Sequence, residues 1–382
     1  ALSDVIAEFT FPTRILFGEG ALGLVALESS RLGLRRPLIV SDPGLEAAGL
    51  KAQLAERLPD GVWHLEVHAN PAESDVLSGL EAFHALGCDG VIGFGGGSPI
   101  DVAKAVRLLA THAGRLSDYD VTLGGTSRIT ADLPPMIAIP TTAGTGSEVG
   151  RASLIQIPNT SRKTAIISPY LLPTLSICDP ELTYGLSPEL TAGTGMDAFS
   201  HGIESYLSTT YHPICDGIAL EGLTYVRRGL ETCVQEAGNQ RARRNSLMGS
   251  LLCGISMHKG LGAVHSLSHA LGGEGRAHHG TLNAILLPHV LRFNCEVASE
   301  RIVDLAGAMG LGRGQDSARH LIALTQLVLA RLPLPKRLGE VEGLHRDRIP
   351  EYARLAMLDH CHRTNPRPCA LDDMIGLLEE AW

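Results

Sequence analysis

Through the first 180 residues, short apolar β-rich runs alternate with helix-compatible stretches, and this alternation commits the region to βαβ units around a mainly parallel sheet. The runs are 37–41, 63–67, 90–94 and 136–140, and the stretches between them are 45–58, 72–86 and 99–112. After Asp179-Pro180 the texture changes. Helical patterns follow at 190–208, 215–236, 241–254, 320–332 and 349–358, and β-rich runs become scarce. The expectation is an α/β domain over residues 1–181 and an all-helical domain over 182–382. No internal repeat or long linker separates them, so a shared cleft is the expected place for a ligand.

A chain of 382 residues is long enough for two domains with a sizeable core. Its 32 Lys+Arg against 41 Asp+Glu give a net charge of −9, which argues against nucleic acid as a partner, because phosphate neutralisation needs a basic surface. No run of about 18 apolar residues occurs, so no membrane span is expected. The opening ALSDVIAEFTFPTR lacks the basic and apolar regions of a secretory signal. Eight scattered cysteines form no disulfide-like framework, and a reduced, cytoplasmic setting is expected.

Histidines carry the strongest chemical signal. Six of the 16 fall in one short region: His258, His265, His269, His278, His279 and His289. Upstream, TGMDAFSH sets Asp197 and His201 four residues apart, on one face of a helix. GAVHSLSH repeats that spacing with His265 and His269. Such pairs, joined by histidines from other segments, are how helices assemble an Asp/His metal site. Imidazoles with one carboxylate suit Fe(II), Zn(II), Ni(II) or Co(II) and disfavour Mg or Ca. HExxH is absent, which removes the usual zinc-protease pattern. Spacing alone does not separate ligand from non-ligand within this set.

The glycine turn is the second signal. Gly95-Gly96-Gly97-Ser98 follows a β-rich run and precedes a helix expected to have Pro99 at its first position. Such a turn either brings backbone N–H groups against a phosphate or closes a tight structural corner. It is neither GxGxxG nor a P-loop, since no GK[ST] follows. A second small-residue loop, PTTAGTGS, also follows a strand, and two such loops fit a dinucleotide lying across strand C-termini. Asp42 ends an earlier run, as a ribose acceptor or as a solvated turn residue. Three of the five lysines, Lys104, Lys163 and Lys259, sit beside these motifs.

Together GGGSPID, PTTAGTGSEV, DPELT, TAGTGMDAFSHGIES and GLGAVHSLSHALGGEGRAHHGTLNA resemble the iron-containing (group III) alcohol dehydrogenases, from Asp42 to the TNPR at 364–367. The resemblance implies a dehydroquinate-synthase-like fold, with an α/β N-terminal nucleotide-binding domain, an all-α C-terminal domain and the site between them. It implies metal ligation by Asp197, His201, His265 and His279, with Fe(II) first and Zn(II) second. His269 matches a histidine near the nicotinamide that is not a ligand and relays the catalytic proton. NAD positions map onto Asp42, Asn70, Gly97, Ser98, Thr141, Thr142, Thr145 and Lys163. The implied partners are a small alcohol or aldehyde and further copies of the chain, as a homodimer or larger homo-oligomer.

Three departures stand out. SEV is followed by Gly150-Arg151 rather than Thr, His258-Lys259-Gly260 replaces the commoner Asn-Ala, and DHCHRTNPR sets His360 and His362 around Cys361. With RRPLIVSD, they look most similar to the 4-hydroxybutyrate dehydrogenase branch. Arg151, Lys259 and Arg276 are then candidates for holding a substrate carboxylate. The expected activity is reversible hydride transfer between NAD and a primary alcohol, with 4-hydroxybutyrate or another short hydroxy acid as candidate. Two alternatives lie on the same fold: a metal-free maleylacetate-reductase type, disfavoured because all four ligands are present, and a metal-dependent cyclase or lyase.

Overall fold

In the computed structural model, which describes residues 9, 13–158, 163–273 and 278–382, the strands are β1 (Arg14–Phe17), β2 (Leu38–Val40), β3 (Val62–His64), β4 (Val91–Gly95), β5 (Met136–Pro140), β6 (Ala152–Gln156), β7 (Lys163–Ile167) and β8 (Leu175–Cys178). All but β6 and β7 join one parallel sheet in the order β1-β8-β5-β4-β2-β3. The expected parallel sheet is therefore present. β6 and β7 pair antiparallel as a separate hairpin, which the periodicity did not announce.

The sheet is covered on both faces, as parallel sheets are. Helices on this half are α1 (Val25–Arg31), α2 (Gly44–Ala47), α3 (Leu50–Arg57), α4 (Glu73–Ala85) and α5 (Gly97–Leu109). Alternate strand residues choose the face. Leu38, Val40, Val91, Met136 and Ala138 pack with Val76, Phe83, Ile100 and Val106 of α4 and α5. Ile39, Ile92, Phe94, Ile137 and Ile139 pack with Val25 and Leu54 of α1 and α3. The expected single stretch 45–58 is instead two helices. Gly49 breaks it at φ 72°, a left-handed backbone that glycine adopts without steric cost.

The last strand ends at Cys178, and α6 (Pro188–Leu207) opens the helical half with Ser187 accepting the N–H of Leu190. It continues through α7 (Pro213–Gln235), α8 (Gln240–Ser256), α9 (Ala263–Leu271), α10 (His279–Asn294), α11 (Ser299–Ala308), α12 (Ser317–Arg331), α13 (Ile349–Leu358) and α14 (Leu371–Glu380). α6 is the axis of this half: residues 191–207 are all buried, and Met196, Phe199 and Ile203 join one apolar cluster with Leu223, Leu267 and Leu286. Among the described residues no single helix is long and apolar enough to cross a membrane.

Candidate metal centre and cofactor cleft

Three helices deliver the polar cluster. α6 supplies Asp197 and His201, α9 supplies His265 and His269, and α10 begins at His279. Gly280 lets α10 approach α6: a Cβ there would lie 1.9 Å from Gly193 O and 2.9 Å from the Asp197 Cβ. Any larger residue would push His279 away from Asp197.

The side chains converge on one atom, Asp197 Oδ1. The Nε2 atoms of His201, His265 and His279 lie 3.2, 3.6 and 3.8 Å from it. The rings of His201 and His265 stack at 4.8 Å and 20°. Burial pushes His201 down to about 4 and His279 well below its ordinary value, so both are neutral and ligand-competent at pH 7. Burial opposes charge on Asp197 too, yet the three imidazoles hold its carboxyl well below the usual range. For His265, burial is outweighed by Asp197 and Glu204, which raise it to about 9.

This donor set fits a divalent metal. The Nδ1–H of His265 is committed to Glu204 Oε2 at 2.5 Å, so a neutral His265 aims its Nε2 lone pair at a carboxylate oxygen. That arrangement is repulsive unless positive charge lies between, and the raised His265 expresses the same demand. Three imidazoles and one carboxylate favour iron or zinc over magnesium or calcium. Asn283 lies against the same set, its Nδ2 at 2.8 Å from Asp197 Oδ1, 3.2 Å from His265 Nε2 and 3.3 Å from His279 Nε2.

His269 stands beside the cluster, its ring stacked on that of His279 at 5.1 Å and 20°. Its Nδ1–H donates to Asp359 Oδ2 at 2.9 Å, which leaves Nε2 as the nitrogen free to exchange a proton. Asp359 is itself fixed by the Ser266 hydroxyl and the Cys361 N–H, both at 2.8 Å from Oδ1.

The sheet contributes the other wall. The C-terminal ends of β2, β4 and β5 are adjacent and carry Asp42, the 95–98 turn and the 140–147 loop in turn. From β2 the chain moves outward to β3, and from β4 it moves the other way to β5. The gap between β2 and β4 is thus a topological switch point, where dinucleotides bind in such sheets. Asp42 Oδ1 accepts the Gly44 N–H at 2.9 Å, and Oδ2 lies 3.2 Å from where a Gly95 Cβ would stand. Burial raises the Asp42 carboxyl against its two backbone donors. α5 begins at Gly97 with no side-chain cap, which leaves first-turn N–H groups for an anion.

The remaining expected cofactor positions fall around this wall. Ser98 Oγ donates to Ala69 O at 2.8 Å, and Asn70 Nδ2 reaches Gly272 O, past the end of α9, at 3.3 Å. Thr141 N donates to Gly95 O at 2.9 Å, Thr142 faces Gly96, and Thr145 packs on Gly97. Lys163 starts β7, its ammonium lowered by burial while Asp101 and Asp197 act to raise it.

The three expected substrate cations differ. Arg151 gives one Nη2–H to His258 O at 3.0 Å. Lys259 is 3% exposed and donates to Asp216 at 2.6 Å and to Tyr206 O at 2.9 Å, a structural engagement. Arg276 lies outside the described residues. Glu204, Asn283 and Asp359 join the site without being marked by the histidine spacing, although Glu204 is three residues past His201 and Asn283 four past His279.

Residues 12–180 match the family described as iron-containing alcohol dehydrogenase, and residues 191–382 match its C-terminal part. The chain belongs to the iron-containing alcohol dehydrogenases. It is 42% identical to the 4-hydroxybutyrate dehydrogenase of Cupriavidus necator, covering 97% of this chain and 98% of that one. The crystal structure of 1,3-propanediol oxidoreductase aligns with a TM-score of 0.92 at 33% identity, over 99% of this chain and 100% of that one. The sulfoacetaldehyde reductase of Bifidobacterium kashiwanohense, solved with NAD+, aligns at 0.87 and 26% identity over 99% of each chain. This iron-containing alcohol dehydrogenase is a metal-dependent, NAD-linked oxidoreductase acting on a small alcohol or its aldehyde, with the dehydroquinate-synthase-like fold that its motifs imply.

Proposed function

We propose that this enzyme interconverts a short ω-hydroxy acid, 4-hydroxybutyrate first among them, and its semialdehyde. In this reading residues 1–181 hold NAD and residues 182–382 hold Fe(II), with Asp197, His201, His265 and His279 as ligands. Bound in the cleft, Fe(II) supplies Lewis acidity toward the substrate oxygen and NAD supplies the hydride acceptor. Asp42 orients the adenosine ribose, and its charge disfavours a 2′-phosphate. The 95–98 turn with Ser98, Thr141, Thr142 and Thr145, together with Asn70 and Lys163, would hold the rest of the dinucleotide. His269 moves the proton at Nε2, with Nδ1 tied to Asp359. The observation that carries the assignment is the convergence of three imidazoles on Asp197 Oδ1.

The hydroxy-acid step rests on the likeness to 4-hydroxybutyrate dehydrogenase and on the extra cations. Of these Arg151 has the better claim, since Lys259 already serves Asp216. A charge-assisted hydrogen bond to the carboxylate is worth about 1.5–3 kcal/mol, roughly tenfold to a hundredfold in specificity. The test compares kcat/KM for 4-hydroxybutyrate and 1-butanol in wild type, Arg151→Met, Arg276→Met and Lys259→Met. The acid should win in wild type, and one arginine variant should lose that advantage through KM while 1-butanol is unchanged. Equal efficiencies in wild type would leave a general alcohol dehydrogenase. The eight cysteines are all free thiols, which supports a reducing, cytoplasmic setting. A homodimer or larger homo-oligomer completes the reading, for light scattering to measure.

A further inference from the structure

We propose that Glu204 is a positioning residue for the metal centre: it sets the proton, the rotation and the basicity of His265. The proposal rests on the ligand assignment above and adds a residue outside it.

Glu204 sits one turn beyond His201 on α6 and is 4% exposed. Its carboxylate faces the start of α9 and takes three donors there. Oε1 accepts the Val264 N–H at 2.7 Å, and Oε2 accepts the His265 N–H at 3.3 Å and the His265 Nδ1–H at 2.5 Å. The residue at the N-cap of α9 is Gly262, which offers no side chain. Glu204 therefore caps α9 from a different helix. Capping alone does not explain a buried carboxylate, because a neutral oxygen satisfies orphan N–H groups at a helix start without the cost of burying charge. No lysine or arginine among the described residues pairs with Glu204. The carboxylate has His265 as its side-chain partner, and whatever cation His265 binds would complete its neutralisation.

Three consequences follow for His265. The proton is held on Nδ1, so Nε2 presents its lone pair toward Asp197 Oδ1, 3.6 Å away. The ring cannot rotate without breaking the 2.5 Å contact, which keeps it stacked on His201. The negative charge behind the ring also makes Nε2 a stronger donor. Carboxylates that orient a ligating histidine in this way are typically worth about 10–100-fold in metal affinity.

The experiment separates cap from metal tuning. Wild type, Glu204→Gln and Glu204→Ala are stripped with chelator and titrated with Zn(II) against a competing chelator, and the metal-free melting temperatures are measured beside them. Glu204→Gln keeps an oxygen for the Val264 N–H and loses the charge. Without metal it should melt only modestly below wild type, having lost the buried charge beside His265, and it should bind Zn(II) about 10–100-fold more weakly, whereas Glu204→Ala should lose more on both counts. Should Glu204→Gln also melt early, its Co(II) form decides: a shifted visible band upholds the proposal, and an unchanged band overturns it. Equal Zn(II) affinity in Glu204→Gln and wild type overturns this proposal alone. A wild type that takes up neither metal overturns the ligand assignment and this proposal with it.

Discussion

His269 shows how much one tertiary contact can decide at a single residue. A neutral imidazole can carry its proton on either nitrogen, and only one tautomer leaves Nε2 free to accept. Asp359 selects that tautomer with a 2.9 Å acceptor, and burial of this carboxylate is outweighed by His269, which helps hold it well below the usual range. Asp359→Asn keeps the shape but can turn an amide N–H toward Nδ1 and favour the other tautomer. We expect kcat to fall about 10²-fold, within the range for a displaced general base, with iron content unchanged by atomic absorption. An unaltered kcat would mean that His269 needs no such support. The residue-level legibility follows the same division. Asp197, His201 and His265 were visible because helical spacing marks a shared face. Asp359 was not, because it lies 90 residues from its partner and a lone aspartate carries no local mark.

At the scale of elements, the two candidate cofactor loops are bolted together by α5. Lys104 is fully buried on that helix, and its ammonium donates to Ser147 O at 2.7 Å, Ser147 Oγ at 3.0 Å, Gly150 O at 2.9 Å and Ala152 O at 2.8 Å. Asp101, one turn earlier, accepts the Ser147 hydroxyl at 2.5 Å and the Leu154 N–H at 3.1 Å. The helix that opens at the glycine turn thereby fixes the far end of the second loop. Lys104→Met leaves several carbonyls and Asp101 without their cation, and we expect a loss of about 3 kcal/mol with a raised KM for NAD. Burial lowers Lys104 to about 8 from an ordinary 10.5. Between those values the unfolded chain holds a proton there that the folded chain has released, so stability from this group rises with pH. Denaturant melts from pH 7 to 10.5 should therefore show the wild-type advantage over Lys104→Met widening above pH 8. A constant or narrowing gap would contradict a Lys104 lowered by burial. β2, β4 and β5 were legible because apolar runs of five residues such as 136–140 match buried parallel strands, whereas the run 63–67 overlaps β3 only at residues 63 and 64. β8 is four residues reading LSIC, too short to show a period, and the sheet order depends on crossovers that no local pattern encodes.

In the proposed reading the whole molecule holds a nicotinamide carried by the sheet at a fixed distance from the metal ligands proposed on α6, α9 and α10. The seam that sets this distance is built from backbone meeting backbone. A Cβ on Gly146, in the second cofactor loop, would lie 2.5 Å from the Gly254 Cα, and one on Gly254 would lie 2.7 Å from the Gly146 Cα. Nearby, a Cβ on Gly144 would meet Thr194 O at 2.5 Å, one turn before Asp197 on α6. Gly146 has φ 64° and resists substitution for its own reasons, but Gly254 lies inside α8 with ordinary helical backbone. Gly254→Ala is therefore a clean probe of the seam. Judged as a helix residue alone, the alanine gains roughly 1 kcal/mol. Judged as a seam residue, it forces the 140–147 loop outward, at a typical overpacking cost of about 1–3 kcal/mol. We expect the seam to win, with a lower melting temperature and a raised KM for NAD. Iron content should stay at the wild-type level, because none of the proposed metal ligands belongs to α8 or to the loop. A variant that melts higher with an unchanged KM would show the opposite, that helix propensity governs this position and the spacing of the two walls is set elsewhere.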